Sequence, residues 1–442
     1  MKQNSDFKIS NLGKATIKSP IILSNVHGDN IVNYVSDDEF ILQNITISER
    51  EHISKDDILE KAGPREKIFF DPTKVNAGII TCGGLCPGLN DVIRSIVMTL
   101  WYRYNVKRIF GIRYGFKGLL PEFNLPVINI TTDMVSDIHQ QGGTILGSSR
   151  GSGDRVDEIL DSIERMNLNI LFVIGGDGSQ RGARDIANEA IKRGLKLSVV
   201  GVPKTIDNDL NMIQKTFGFE TAVSEAVKAV AAAHVEAKAA QNGIGMVKVM
   251  GRDAGFIAAY TALAQNDVNY VLIPEVPFHL DGYNGLYTHL EQRLKNRNHA
   301  VILVAEGAGQ NLLKRNNNTD ASGNKKLGDI GTYLQDAITS HFKSKQIETT
   351  LKYIDPSYMI RSAPANPNDS LFCERLGSNA VHAAMSGKTN MLISCINDVL
   401  VHLPIEQAVK QKKRIDPESP LWRDVLEATG QPVVMTNASV VE

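Results

Sequence analysis

Apolar residues come in short runs along this chain. From Val75 onward each run ends in a turn rich in glycine or proline, and a stretch with apolar positions three and four apart follows. Runs of strand length read as buried strands, and the three-four spacing reads as helix. The pattern predicts strands over 75–82 (VNAGIITC), 108–113 (RIFGIR), 169–176 (NILFVIGG) and 195–202 (LKLSVVGV), with helices over 91–104 and 179–193. It goes on to predict a long helix over 217–240, a strand over 243–250, a helix over 253–265, a strand over 269–275, a helix over 284–296 and a strand over 299–307. Strands alternating with helices imply an α/β fold with mostly parallel sheets covered on both faces. Ligands in such folds gather at the carboxyl ends of the strands. Residues 1–72 break the rhythm: short apolar runs alternate with charged stretches such as 49–55, as in an N-terminal extension packed on the rest. The polar stretch 315–326 (RNNNTDASGNKK) reads as a mobile loop.

Composition narrows the possibilities. The 442 residues, 42% of them hydrophobic, suffice for two or three domains with substantial cores. A formal net charge of −1 provides no global field toward nucleic acid or an anionic membrane, so any anion site must be local. No stretch reaches the roughly 18 apolar residues of a membrane span, and the N-terminal MKQNSDFKIS lacks the apolar core of a secretory signal. Four cysteines, Cys82, Cys86, Cys373 and Cys395, do not make a disulfide framework in a chain this long. The expectation is a cytoplasmic protein without nucleic-acid or membrane partners.

Three loops at the ends of expected strands carry the chemistry. They are Thr81–Gly88 (TCGGLCPG), Gly175–Ser179 (GGDGS) and Pro203–Asp209 (PKTIDND). Glycines let backbone N–H groups approach a phosphate, and a following helix N-terminus adds a favourable dipole. One such loop alone is an ordinary tight turn. Three in succession, two with carboxylates, point to a polyphosphate site. Asp177 is placed to hold Mg²⁺ directly or through water, or else to cap a helix over Ser179 and Gln180. In the third loop Thr205, Asp207 and Asp209 alternate, so an extended segment puts all three on one side, with the Lys204 cation beside them. A hydroxyl nucleophile needs such a base and such a cation. Paired carboxylates also raise the pKa of one of them. An Asx-turn explains Asp-Asn-Asp but not the neighbouring Lys and Thr. Arg252 in MGRDAG is placed for a phosphate or a developing negative charge, with an ion pair to Asp253 as the plainer alternative. Arg150 and Arg361 carry the same ambiguity. Two features mislead. Ser386–Thr389 (SGKT) imitates the end of a Walker A loop, but His382 stands where that loop needs glycine. Cys82 and Cys86 lack a second pair at zinc spacing and read as packed thiols.

In order, GGDGSQRGA, PKTIDNDL, FGFETA, MGRDAGFIA and KYIDPSYMIR resemble the 6-phosphofructokinases over residues 75 to 425, and the last motif resembles the subgroup with plant and trypanosomatid ATP-dependent enzymes, close to the pyrophosphate-dependent branch. The resemblance implies two Rossmann-like lobes with the active site in the cleft between them. It divides the chain into an extension (1–72), a donor lobe (73–216 plus about 360–410) and a sugar-phosphate lobe (217–359 plus the C-terminal segment). It implies fructose 6-phosphate and ATP as substrates, Mg²⁺ as cofactor and a homo-oligomer, dimer or tetramer. Carried over by motif, Asp207 is the base for the sugar's 1-hydroxyl, Thr205 orients the transfer, and Arg252 stabilises the transferred group. Asp177 supports Mg²⁺. Gly84, Arg150, Gly178 and Ser179 line the nucleotide phosphates, with Tyr114 and Lys204 nearby. Asp209, Met250, Glu306, Lys352, Tyr358 and Arg361 belong to the sugar-phosphate side.

The chain also departs from that pattern. Gly243 stands where bacterial members usually carry an arginine for a neighbour's 6-phosphate, and Lys352 and Tyr358 replace an arginine and a histidine. Pyrophosphate users typically have Asp after Gly-Gly-Asp and Lys before Thr-Ile-Asp; this chain has Gly178 and Lys204, one feature of each kind. Glycine leaves room for the α-phosphate of ATP, so ATP is the expected donor and pyrophosphate the alternative. A catalytically silent regulatory subunit is a weaker alternative, and a Rossmann dehydrogenase is weaker still, since no loop spells Gly-x-Gly-x-x-Gly.

Overall fold

A computed structural model describes residues 7–22, 33–44, 58–313 and 326–437. The charged stretch 49–55 and nearly all of the loop 315–326 lie outside them. Contacts divide the chain into two units. The first comprises Met1–Thr205, Leu210–Gly218 and Ala363–Gln411; the second comprises Ile206–Asp209, Phe219–Ser362 and Lys412–Glu442.

The first unit is built on a seven-stranded sheet. Its order is Val399–Pro404, Met391–Ile396, Ser198–Pro203, Ile170–Gly175, Asn76–Thr81, Arg108–Ile112, Ile128–Asn129. The five inner strands are parallel and the two edge pairs antiparallel. Inner strands Asn76–Thr81, Ile170–Gly175 and Ser198–Pro203 are buried at every position. That is why their sequences run apolar without alternation. Helices Val156–Arg165 and Asp177–Lys192 bury Ile159, Ile163, Ala183, Ile186 and Ala190 against Leu171, Val173 and Val199. The described part of the N-terminal segment is stitched onto this unit. Strand Ser10–Asn11 pairs with Lys388–Thr389, and Ala62 donates its N–H to Leu400.

A buried charge cluster fixes that stitch. Glu60 meets Lys388 at 2.7 Å, Arg65 at 3.0 Å and His402 at 3.0 Å. Burial pushes the Glu60 carboxyl up. The hydrogen bond from His402 and the ion pair with Lys388 outweigh that and hold it well below the usual carboxylate range, while burial pushes the His402 ring down toward its neutral form. Lys388 of the Walker-like SGKT is thus part of a buried ion cluster, and Gly387 before it turns at φ 83.

The second unit holds four parallel strands in the order Tyr270–Leu272, His299–Ala305, Gly243–Val249, Thr350–Ile354. Helices Leu286–Arg297 and Ile330–Ser344 bury Leu290, Leu294, Leu334, Ile338 and Phe342 with Ile244, Met246, Ile302 and Val304. Helix Phe219–Ala239 packs its alanines against the central strand. A Cβ at Gly243 would lie 2.0 Å from the Ala237 carbonyl oxygen. No side chain fits at that position, so the arginine of bacterial members has no room here.

Three expectations need correction. The strand expected over 269–275 is only Tyr270–Leu272, because Pro274 has no N–H for a ladder. Regular α-helix ends at Met98, short of 104, and a wider turn covers Thr99–Arg103. Segment 205–209 is a turn and not an extended stretch, because Asn208 takes a left-handed φ of 53. The alternation therefore fails. Thr205 and Asp207 stay half-buried, whereas Asp209 turns inward to 5% exposure.

Candidate active site

In the first unit three chain segments meet at the carboxyl ends of adjacent strands. Gly83 donates its N–H to the Ser149 carbonyl, and Ser148 Oγ donates to the Gly83 carbonyl at 2.6 Å. This brings Arg150 over the first loop, where a Cβ on Gly84 would come within 3.5 Å of the guanidinium. Lys204 Nζ donates to the Gly84 carbonyl at 2.7 Å, and its own N–H reaches the Gly175 carbonyl. A Cβ at Gly83 would press on that ammonium at 2.9 Å, at a φ of +88 that favours glycine. Tyr114, also left-handed, accepts from Ser149 Oγ through its carbonyl at 2.6 Å. Thr205 continues this wall and accepts from Thr216 Oγ1 at 2.6 Å.

Asp177 opens the helix Asp177–Lys192 and is not its cap. Gly176 occupies the cap position and, as a glycine, brings no side chain to the first N–H groups there. Such a helix end is a ready anion site. Asp177 pairs with Arg181 at 2.9 Å. No group of three metal-ligating side chains occurs among the described residues. A single carboxylate at a helix start can still serve Mg²⁺, which commonly takes one or two carboxylates plus substrate phosphates. Gly178 is exposed, with open space where a Cβ would project. Cys82 and Cys86 are buried thiols under this loop. Burial pushes Cys82 up to about 12, and Cys86 Sγ donates to the Phe217 carbonyl.

In the second unit the acidic loop is surrounded by charge. Asp207 Oδ2 accepts the Arg252 N–H at 3.4 Å, and Oδ1 is closed off from solvent. Burial raises the Asp207 carboxyl to about 7, helped by Asp209 and Glu306 and opposed by the Arg252 N–H and the Arg361 charge. Glu306 and Arg361, 55 residues apart in sequence, are thereby placed around one carboxylate. Gly307 allows this, since a Cβ there would strike the Arg252 carbonyl at 1.9 Å. Met250 is wholly buried, so its side chain belongs to the wall. Tyr358 stands 83% exposed on the short helix Ser357–Ser362 with Arg361. Lys352 is exposed on Thr350–Ile354 and is not among the groups that shift the Asp207 carboxyl.

Sequence reasoning missed Lys412 and Lys413. Lys412 Nζ meets Asp209 Oδ2 at 2.5 Å, and Lys413 donates its N–H to the Asp209 carbonyl. Burial lowers Lys413 to about 8 against the pull of Asp209, and its ammonium lies 4.9 Å from the Phe256 ring centre. The only signal was the basic run KQKKR at 410–414, which reads as solvated surface.

The sequence pattern of the family described as Phosphofructokinase matches residues 76–384. The chain is 55% identical to an ATP-dependent 6-phosphofructokinase of Borreliella burgdorferi, over 98% of this chain and 99% of that one. It is 48% identical to the ATP-dependent 6-phosphofructokinase of Trypanosoma brucei brucei, over 84% of this chain and 76% of that one. A solved pyrophosphate-dependent phosphofructokinase from Marinobacter aquaeolei shares the fold, with a TM-score of 0.66 at 20% identity over 80% of this chain and 91% of that chain.

Proposed function

The chain belongs to the phosphofructokinase family, and from that membership we infer that it carries a phosphoryl group from Mg-ATP to the 1-hydroxyl of fructose 6-phosphate, giving fructose 1,6-bisphosphate and ADP. The donor side is the first unit's wall. The open helix start at Gly178 and Ser179, with Arg150, Lys204 and Gly84, is suited to nucleotide phosphates, and Tyr114 borders them. Asp177 would hold Mg²⁺, which neutralises phosphate charge when bound. The acceptor side is the second unit's. Asp207 takes the proton from the hydroxyl, Arg252 stabilises the group in transfer, and Arg361 with Tyr358 and Lys352 holds the sugar phosphate. Thr205, two residues before Asp207, orients the transfer.

One observation carries the reading: a carboxylate with one oxygen closed off from solvent, raised to about 7, that accepts the Arg252 backbone N–H and feels the Arg361 charge. A general base works best with a pKa near the working pH. Gly178 supports ATP as donor, because a Cβ there would meet nothing within 4 Å among the described residues. The deciding experiment is a coupled assay on fructose 6-phosphate with ATP and with pyrophosphate in parallel. Turnover with ATP is expected. Turnover with pyrophosphate alone overturns the donor assignment, and no turnover with either favours a silent subunit. Cytoplasmic location rests on the sequence reading and a dimeric or tetrameric state on the family resemblance; fractionation and light scattering check them. No described helix is long and apolar enough to cross a membrane.

A further inference from the structure

Arg361 sits on a helix of six residues, Ser357–Ser362. A helix that short is not stable by itself. Its packing is thin: Ile360 is fully buried, but Tyr358 and Met359 are 83% and 73% exposed. The parallel pairing that fixes the preceding strand stops at Val247↔Ile354. Something beyond the ladder must hold the next residues.

Lys248 does so from the neighbouring strand, Gly243–Val249. Its side chain is 14% exposed, with Nζ 2.9 Å from Asp355 Oδ2 and 3.3 Å from Asp329 Oδ1. Both carboxylates start helices. Asp355 Oδ1 accepts from the Ser357 N–H at 3.1 Å and from Ser357 Oγ at 2.6 Å. Asp329 caps Ile330–Ser344 through the N–H groups of Gly331 and Thr332. One half-buried ammonium thus ties two helix starts to the central strand, and one of those helices carries Arg361. Burial works against the Lys248 charge, but the bond to Asp355 and the charge contacts with Tyr353, Asp355 and Asp329 together outweigh it and hold the ammonium pKa above its usual range. The strand ends at Val249, and the chain runs straight on to Met250 and Arg252, four residues past Lys248.

We propose that Lys248 is a positioning residue for substrate binding: through Asp355 it sets the helix Ser357–Ser362, and so aims the Arg361 guanidinium at the sugar phosphate. This rests on the reading that Arg361 holds that phosphate.

The test is steady-state kinetics with both substrates varied. Lys248→Met should raise the KM for fructose 6-phosphate roughly three- to tenfold, the scale of a lost ion-pair coupling, and leave the KM for ATP within about twofold. Lys248→Arg should restore most of the loss. Asp355→Asn keeps an acceptor for Ser357 but loses the charge, so it should show the same KM shift, and the double variant should be no worse than either single one. Asp329→Asn, which loosens only the other helix, should leave the KM for fructose 6-phosphate unchanged. Equal shifts in both KM values, additive effects of Lys248→Met and Asp355→Asn, or the same shift in Asp329→Asn each overturn the proposal. Arg361→Ala, run alongside, separates the two ideas. If it raises the KM for fructose 6-phosphate and Lys248→Met does not, Lys248 alone is misassigned. If it leaves that KM unchanged, the reading of Arg361 fails and the role of Lys248 fails with it.

Discussion

Asp207 shows how much of the chemistry depends on a single side chain's surroundings. Its carboxyl is raised from 3.8 to about 7, chiefly by burial and then by the charges of Asp209 and Glu306. The base must be ionised to act, so kcat/KM should fall about tenfold per pH unit below pH 7 and level off above it. Asp207→Asn keeps the loop's shape and removes the base. General-base catalysis is worth about 10²–10⁴ in rate, so kcat should drop by at least that range with a modest change in KM. A variant with near-normal kcat removes Asp207 from the mechanism. The same shift has a stability consequence. The folded state binds this proton more tightly than the unfolded chain does, so the penalty is absent below the unfolded value of 3.8, grows as pH rises and is complete above about 7. Urea unfolding should therefore show Asp207→Asn more stable than the parent at pH 8, with the difference vanishing near pH 4.

The helix Asp177–Lys192 is legible from its sequence, because glycines and a carboxylate lead into an amphipathic run. Its open start makes a clean test of the donor site. Gly178 is its second residue, where an added carboxylate suits the helix dipole by about 0.3–1 kcal/mol. The new side chain would meet nothing within 4 Å. Gly178→Asp should therefore fold as well as the parent. Yet a carboxylate about 4 Å from a bound phosphate repels it by roughly 4 kcal/mol at an effective dielectric near 20, on the order of a thousandfold loss of ATP use. Normal turnover of ATP by a folded Gly178→Asp enzyme would show that this helix start does not face the nucleotide. The loop 205–209 is the opposite case. Its residues were identified from the sequence but their directions were not, because the left-handed turn at Asn208 sends Asp209 inward. Nothing in Asp-Asn-Asp states which residue takes the turn.

Across the whole molecule, the chain passes between its two units at 205–206, 209–210, 218–219, 362–363 and 411–412. Thr205 and Asp207, neighbours in one loop, therefore belong to different units, and so do the segments that brace them. The first unit also depends on its N-terminal segment. Glu60 joins Lys388, Arg65 and His402, whose side chains are 9%, 4% and 0% exposed. Glu60→Gln leaves the Lys388 and Arg65 cations and the His402 ring, whose pKa burial pushes down, without their common partner, although Arg65 keeps Asp37 at 2.8 Å. Breaking a buried pair typically costs roughly 3–5 kcal/mol, so the urea midpoint should fall clearly while kcat of the folded fraction holds. Because the Glu60 carboxyl is held low, its contribution is present above about 4.5 and is lost as pH falls below that. The acid side of the stability curve should flatten in Glu60→Gln. An unchanged urea midpoint would make the cluster incidental.

The sequence by itself determined whatever is encoded in neighbouring residues: the alternation of strands and helices, the glycine turns at the strand ends, and the motif residues Asp177, Thr205, Asp207 and Arg252. Periodicity and turn chemistry act over a few residues, and the chain states them directly. The tertiary structure decided what those residues experience. It set Lys412 on Asp209 across 203 positions, gathered Glu306 and Arg361 about Asp207, closed Gly243 to any side chain, and bound Lys248 to two helix starts more than 80 positions downstream. Charge and burial act through space, and only the folded chain fixes which distant groups come within a few ångströms of one another.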